Sequence, residues 1–118
     1  MKRIYVAGPY SADNVIDVLK NIGRGQKACS YLFSVGFAPF CPWHDRIFIT
    51  DRPEGKFTVS QFYDYSMAWL KVSDAVVLLP GWKNSVGTIA EIKEAKKRSI
   101  PVFESIAGLI RDWGHLVW

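Results

Sequence analysis

The length, composition and charge of this chain exclude several classes of protein. Its 118 residues suffice for one domain with one core, and a hydrophobic fraction of 49% argues against disorder. No apolar run approaches the roughly 20 residues of a membrane span, and the N-terminus lacks a secretory pattern, so we expect a cytoplasmic protein. The net charge of +4 favours anionic ligands weakly, but the basic residues form no single block, and we expect no nucleic-acid partner.

The elements predicted along the chain alternate between strands and helices. Strands are predicted at residues 3–7, 37–40, 75–79 and 100–103, and helices at about 13–35, 58–72, 88–98 and 104–118, with an irregular segment at 43–56. Asp13 or Asn14 is expected to cap the first helix, and Gly36 to follow its end. Gly23 and Gly25 either weaken this helix or mark the close approach of a neighbouring backbone.

This alternation predicts one α/β domain over residues 1–118, with a parallel sheet of four or five strands covered by helices on both faces. In such sheets, ligands bind at the carboxyl ends of the strands, where the strand order switches. The turns at residues 8–13, 41–46 and 80–88 are therefore expected to converge on a ligand. Cys29 and Cys41 fit no metal-binding spacing and are expected to be buried thiols.

Two motifs resemble the nucleoside 2-deoxyribosyltransferase superfamily. The first is IYVAGPY at residues 4–10, and the second is DAVVLLPGW at residues 74–82, followed by Ser85-x-Gly87-x-x-x-Glu91. The likeness is strongest to its small members, the 2′-deoxynucleoside 5′-phosphate N-hydrolases and related short, often phage-encoded proteins of unassigned function. The resemblance implies a Rossmann-like, flavodoxin-type three-layer sandwich that cleaves or transfers the N-glycosidic bond of a nucleoside or nucleotide. It also implies a homodimer or larger homo-oligomer, and no metal or organic cofactor.

The resemblance further implies that Glu91 is the catalytic nucleophile. Breaking an N-glycosidic bond builds positive charge on the sugar, and a carboxylate beneath the anomeric carbon stabilises that charge and can form a glycosyl ester. A carboxylate just inside a helix N-terminus is expected to stay ionised because of the helix dipole. The alternative is a capping box, Thr88-x-x-Glu91, in which Glu91 only satisfies a backbone N–H group.

Two turns are candidates for binding the substrate. Ser85 and Gly87 lie where backbone N–H groups would point at an anion, and the hydrolase relatives contact the 5′-phosphate with this turn. The alternative is an ordinary helix start capped by Asn84 or Ser85. Gly8 and Pro9 end the first strand, and Gly8 either lets a ligand approach closely or makes a plain turn.

Several aromatic residues are candidates for contacts with the sugar or the base. Tyr5 aligns with a tyrosine that lies near the nucleophile of the hydrolases, although it also suits an amphipathic strand. Tyr10, Trp43 and His44 are candidates for the base pocket, since a nucleobase needs a stacking face and hydrogen-bond partners. Packing is the more frequent role of a tryptophan, and His44 could protonate a leaving base.

The chain departs from the family pattern at two positions. Ser11 stands where the phosphate-hydrolase relatives carry a basic residue. Ser66 stands where many relatives have an aspartate that contacts the sugar or assists the leaving base. Either Asp64 serves from a shifted register, or the second carboxylate is missing. In the second case, a non-catalytic nucleotide-binding or sensing module on the same fold is the alternative function.

Overall fold

The computed structural model describes residues 1–116 of the chain. Its strands are β1 (Arg3–Ala7), β2 (Ala38–Phe40), β3 (Ala75–Leu78) and β4 (Val102–Phe103), and its α-helices are α1 (Val15–Ser34), α2 (Arg46–Asp51), α3 (Val59–Leu70), α4 (Val86–Lys97) and α5 (Ile106–Trp113). Short 3₁₀ helices span Pro42–Asp45, Trp82–Asn84 and Gly114–Leu116. The end of the last predicted helix, at 117–118, lies outside the described residues. Within residues 1–116, no helix combines the length and apolarity needed to cross a membrane.

The four strands form one parallel sheet in the order β2-β1-β3-β4. The chain runs outward from β1 to β2 and then returns past β1 to β3, so the strand order switches between β1 and β3. This topology confirms the predicted α/β fold, and it is compatible with a Rossmann-like three-layer arrangement.

Side-chain alternation along β1 divides the core into two layers. Ile4 and Val6 lie in the layer covered by α1 and α5, whereas Tyr5 and Ala7 lie in the layer covered by α3 and α4. Both central strands are buried on both faces, which explains the continuous apolar run of β3. The alternation therefore decides which residues of β1 can meet α4.

Local sequence signals set several helix ends. Asn14 caps α1, accepting a hydrogen bond of 2.9 Å from the backbone N–H of Asp17. Gly36 follows the end of α1 with φ +102°, a left-handed conformation that glycine adopts readily. Thr58 and Gln61 form a reciprocal capping box at the start of α3. The predictions for Asn14 and Gly36 are confirmed.

The prediction of an irregular segment at 43–56 is wrong for its first part. Pro42 begins a 3₁₀ helix, and α2 follows directly. No residue of α2 is buried, and Ile47, Phe48 and Ile49 are all exposed. Helices are predicted from apolar residues that repeat along one face. A helix that buries no face does not require this pattern, so the sequence gives no sign of α2.

Gly25 allows α1 to lie directly on the indole of Trp43. A Cβ atom at Gly25 would lie 2.5 Å from the Trp43 ring, whereas one at Gly23 would meet nothing within 4 Å. Close approach is thus the explanation for Gly25, although the neighbour is a side chain rather than the expected backbone. Cys29 and Cys41 are free, buried thiols in this same layer, as predicted.

Candidate active site at the carboxyl edge of the sheet

A buried tyrosine and a glutamate meet on the α3 and α4 face of the sheet. Tyr5 on β1 is fully buried, and its phenol donates a hydrogen bond to Oε2 of Glu91. Glu91 is the sixth residue of α4, and its side chain is only partly exposed. The fold thereby joins two predicted site residues that are 86 positions apart in the chain.

Burial controls the protonation of this pair. It raises the pKa of Glu91 to about 7, while the hydrogen bond from Tyr5 acts in the opposite direction. The expectation that the helix dipole keeps Glu91 ionised is wrong, because the dipole acts mainly within the first turn and Glu91 lies beyond it. Burial, and then the charge of Glu91, raise the pKa of Tyr5, so the phenol remains a protonated donor.

The capping-box explanation of Glu91 is also wrong. The cap of α4 is Ser85, whose Oγ accepts hydrogen bonds from the backbone N–H of Thr88 at 3.3 Å and from its hydroxyl at 2.9 Å. The carboxylate of Glu91 turns to Tyr5 instead. Ser85 is therefore a helix cap, the alternative considered for it, and Gly87 is an exposed residue in the first turn. The N–H groups of a first turn have no intrahelical acceptor, so an anion could still bind there.

Ser66 on α3 belongs to the group around Tyr5, whereas Asp64 does not. Ser66 acts to lower the pKa of Tyr5, against the dominant effect of burial. The position expected to hold an aspartate therefore does face the site, with a hydroxyl. Asp64 is exposed and lies about 200° around the helix from Ser66. Its position does not support a catalytic role from a shifted register.

Gly8, at the start of the first turn, is packed against its own protein. A Cβ atom at Gly8 would lie 2.9 Å from the Cβ of Leu79, so Gly8 is needed for the contact with the end of β3. The carbonyl of Tyr10 accepts a hydrogen bond of 3.2 Å from Asn21. Ser11 is exposed beside this turn. Packing is thus sufficient to explain Gly8.

Trp43 does not offer a stacking face for a base. It is 1% exposed, lies in the layer on the opposite face of the sheet from Glu91, and donates a hydrogen bond of 3.1 Å to the carbonyl of Pro9. The prediction of Trp43 in the base pocket is wrong because the indole fills the core. His44, the next residue, has an exposed side chain.

An aromatic cluster that the sequence analysis missed adjoins Tyr5. It consists of Phe40, Phe48, Tyr65 and Trp69. Phe40, the register partner of Tyr5 in the sheet, stacks on Tyr5 at 5.4 Å and on Trp69 at 5.6 Å. Trp69 is 48% exposed, so this cluster offers an accessible aromatic face. Phe40, the aromatic residue that ends β2, is the sequence signal for this cluster.

Asp45 is a carboxylate that the sequence analysis did not single out. It ends the 3₁₀ helix after β2 and is partly buried. Burial raises its pKa, against the opposing charge of Arg46. Its own charge adds to burial in raising the pKa of Tyr10 and makes a smaller contribution at Tyr5, where burial dominates. The sequence did contain a signal for Asp45, because this residue lies in the turn at 41–46 that is expected to converge on a ligand.

Two cavities open near the carboxyl edge of the sheet. One, of about 490 Å³, lies between the turn after β3 and the start of α5. The other, of about 420 Å³, lies between α1 and the turns after β1 and β3. Neither is lined by Tyr5 or Glu91, so a substrate would reach Glu91 by its partly exposed side. No cluster of potential metal ligands occurs in residues 1–116.

The fold and this site define an α/β protein with a buried tyrosine–glutamate pair beside the switch in strand order. Residues 2–105 match the family model described as "Domain of unknown function (DUF7768)", and the chain belongs to that family. The search of curated proteins gave no match. Since the family description names no activity, the functional argument rests on the chemistry of the site.

Proposed function

We propose that this protein cleaves or transfers the N-glycosidic bond of a nucleoside or nucleotide, with Glu91 as nucleophile. The observation that carries the proposal is the hydrogen-bonded pair of Tyr5 and Glu91, a largely buried carboxylate held by a protonated phenol. The two motifs that resemble the nucleoside 2-deoxyribosyltransferase superfamily support the same reaction, because they supply both members of the pair.

The proposed reaction has two steps. The Glu91 carboxylate attacks the anomeric carbon while the bond to the base nitrogen breaks, and the bonding electron pair leaves with the base, which takes up a proton. Water, or a second base, then attacks the anomeric carbon and releases the carboxylate. Water gives hydrolysis and a second base gives transfer, and in either case the attacking molecule loses one proton to solvent. Tyr5 orients the Glu91 carboxyl group in both steps.

Asp45 is the proposed second carboxyl group, which protonates the leaving base. Burial raises its pKa and so favours the protonated form, which general acid catalysis requires. A general acid typically contributes about 10² to 10⁴ in rate. We therefore expect Asp45→Asn to slow base release by about that factor, while the exposed Asp64→Asn variant keeps the parental rate.

The aromatic cluster is the proposed stacking surface for the base. It adjoins Tyr5 and includes an exposed indole, whereas Trp43 is enclosed on the other face of the sheet. Stacking of a base on an aromatic side chain is worth about 1–3 kcal/mol. Trp69→Ala is therefore expected to raise KM for nucleosides more than it lowers kcat.

The test is release of free base from a panel of nucleosides and 5′-monophosphates. Glu91→Gln should lower the rate by about 10³-fold or more, because it removes the nucleophile. Glu94→Gln is the matched control, since Glu94 lies on the same helix and pairs with Arg98 at 2.7 Å. The parental rate should rise with pH through about 7, as Glu91 ionises. Base release that survives Glu91→Gln would refute the assignment of the nucleophile.

A non-catalytic nucleotide-binding module is the second candidate. The observation that favours it is Ser66, a hydroxyl facing Tyr5 where many relatives of the resembled superfamily carry a carboxylate. This function predicts saturable binding of nucleotides with no base released from any member of the panel. Measurable release that depends on Glu91 would eliminate it.

A further inference from the structure

The cavity beside α1 is built as a small-molecule site. We call it the α1 pocket, and its volume of about 420 Å³ lies in the usual range for small-molecule sites. Asn21, Arg24, Lys27 and Tyr31 form its helical wall. They share one side of α1 because residues three and four apart neighbour each other on a helix. Apolar side chains from α1, from the turns after the strands and from the start of α5 form the rest of the wall.

The charge of the α1 pocket is entirely positive. Arg24 and Lys27 are its charged lining residues, and no carboxylate lines it. Among residues 1–116, the ion pairs join other arginines to acids and involve neither of these cations. One N–H group of Arg24 donates to Oδ1 of Asn21 at 3.3 Å, which leaves most of its five donors for a ligand. The pocket therefore suits an anion.

The floor of the α1 pocket is held in place before any ligand arrives. Trp43 is buried there against Gly25, and its indole nitrogen donates to the carbonyl of Pro9. Asn21 donates in turn to the carbonyl of Tyr10. Because these contacts fix both the floor and the adjacent turn, binding would cost little conformational entropy.

The α1 pocket is separate from the candidate active site. Trp43 belongs to the core layer under α1 and α5, whereas Tyr5 belongs to the layer under α3 and α4. The sheet lies between them, and neither Tyr5 nor Glu91 lines the pocket. A ligand in the α1 pocket would therefore not present a glycosidic bond to Glu91.

From this geometry we infer that the α1 pocket binds a small anion carried on an apolar or aromatic body. Arg24 and Lys27 contact the anionic group, and the apolar side chains of the wall receive the body above the buried Trp43. A phosphate, sulfonate or carboxylate would satisfy the same cationic pair. The inference does not depend on the proposed glycosidic activity.

Two probes of similar shape test the inference on the full chain. The first is 8-anilinonaphthalene-1-sulfonate, and the second is the uncharged N-phenyl-1-naphthylamine. Fluorescence titration should give saturable, salt-sensitive binding of the sulfonate and much weaker binding of the neutral compound. The indole N–H signal of Trp43 should shift in NMR spectra when the sulfonate is added, because Trp43 forms the floor.

Variants locate the bound probe. The Arg24→Ala, Lys27→Ala double variant should raise the Kd of the sulfonate about tenfold or more, since it removes the charge-assisted hydrogen bonds. Arg52→Ala with Lys56→Ala removes the same charge from an exposed segment and should change the Kd by less than about twofold. Glu91→Gln should leave it unchanged. All four basic residues are exposed, so these variants leave the core intact.

Three results would overturn the inference. One is absence of saturable sulfonate binding. Another is equal affinity for the neutral compound, which would deny any role to the cations. The third is an unchanged Kd in the Arg24 and Lys27 double variant. In that case, a loss of binding on Glu91→Gln would assign the probe to the active site instead.

Discussion

The two sides of the sheet handle charge in opposite ways at the same carboxyl edge. On the side of α3 and α4, a carboxylate is largely withdrawn from water, and its pKa rises to about 7 beside a buried phenol. On the side of α1 and α5, two cations stay exposed around an apolar cavity with a fixed indole floor. The difference shows that burial dominates the electrostatics of the first side, whereas the cations of the second side remain in contact with solvent.

The largest expected effect on stability concerns the buried carboxylate. The pKa of Glu91 is about 7 in the folded chain against 4.5 for an unperturbed glutamate, so between these values the folded chain binds more protons than the unfolded chain. Glu91 therefore lowers the free energy of unfolding as pH rises through this range, by up to about 3 kcal/mol. Glu91→Gln should be more stable than the parent at pH 8 by up to that amount, and similar at pH 4.

Urea unfolding at pH 4 and pH 8 measures this effect. Glu94→Gln is the control, because Glu94 lies on the same helix, is only partly buried, and has a pKa that is lowered, first by the hydrogen bond from Arg98. If the stability difference between Glu91→Gln and the parent is equal at both pH values, folding does not raise the pKa of Glu91. The contrast between the two sides of the sheet would then fail.

The next effect concerns the floor of the α1 pocket. Gly25→Ala would force the new methyl group into the Trp43 ring, at a cost of about 1–3 kcal/mol. Gly23→Ala on the same helix meets open space and should instead stabilise the chain by roughly 0.5–1 kcal/mol. Thermal unfolding of the two variants measures the difference. Equal effects would mean that the indole is not held rigidly against α1.

A smaller effect is expected when the phenol of the pair is removed. Tyr5→Phe deletes the hydrogen bond that lowers the pKa of Glu91 against the effect of burial, so this pKa should rise further. The lost bond should cost about 1 kcal/mol of stability. Carbon-detected NMR titration of the Glu91 carboxyl group measures the shift. A lowered pKa would mean that the phenol does not stabilise the carboxylate.

The smallest effect is expected at the acid that lies outside the site. Asp64→Asn should change the free energy of unfolding by less than about 0.5 kcal/mol, because the side chain is exposed. Ser66→Ala, two residues later, removes a hydroxyl that acts on the phenol of Tyr5 and should cost about 1 kcal/mol. Urea unfolding compares the two variants. A larger effect at Asp64 than at Ser66 would support the hypothesis that Asp64 serves the site from a shifted register.

Signals confined to a few neighbouring residues were sufficient for much of the fold. The apolar runs of β1 and β3 indicated central parallel strands, and both are buried on both faces. Asn14 and Gly36 marked the ends of α1, since caps depend on backbone geometry within one turn. The alternation of strands with helices then led to the parallel sheet.

Other features depended on residues far apart in the chain. No one-sided apolar pattern indicates helix α2, because it buries no residue, and Trp43, a candidate for the base pocket, fills the core beneath α1. The ionisation of Glu91 cannot be predicted from its distance to a helix end. Burial decided its pKa instead, and burial depends on every layer packed around it.

Local signals in the sequence are sufficient for the order of strands and helices, for the helix caps, and for naming Tyr5 and Glu91 as candidates. The packing of the folded chain brings these two residues together across 86 positions, places Ser66 but not Asp64 beside Tyr5, and sets Arg24 and Lys27 around a cavity on the other face. The physical reason is the distance along the chain over which each effect acts. Backbone conformation responds to adjacent residues, whereas desolvation, pairing and cavity shape depend on the packing of distant segments.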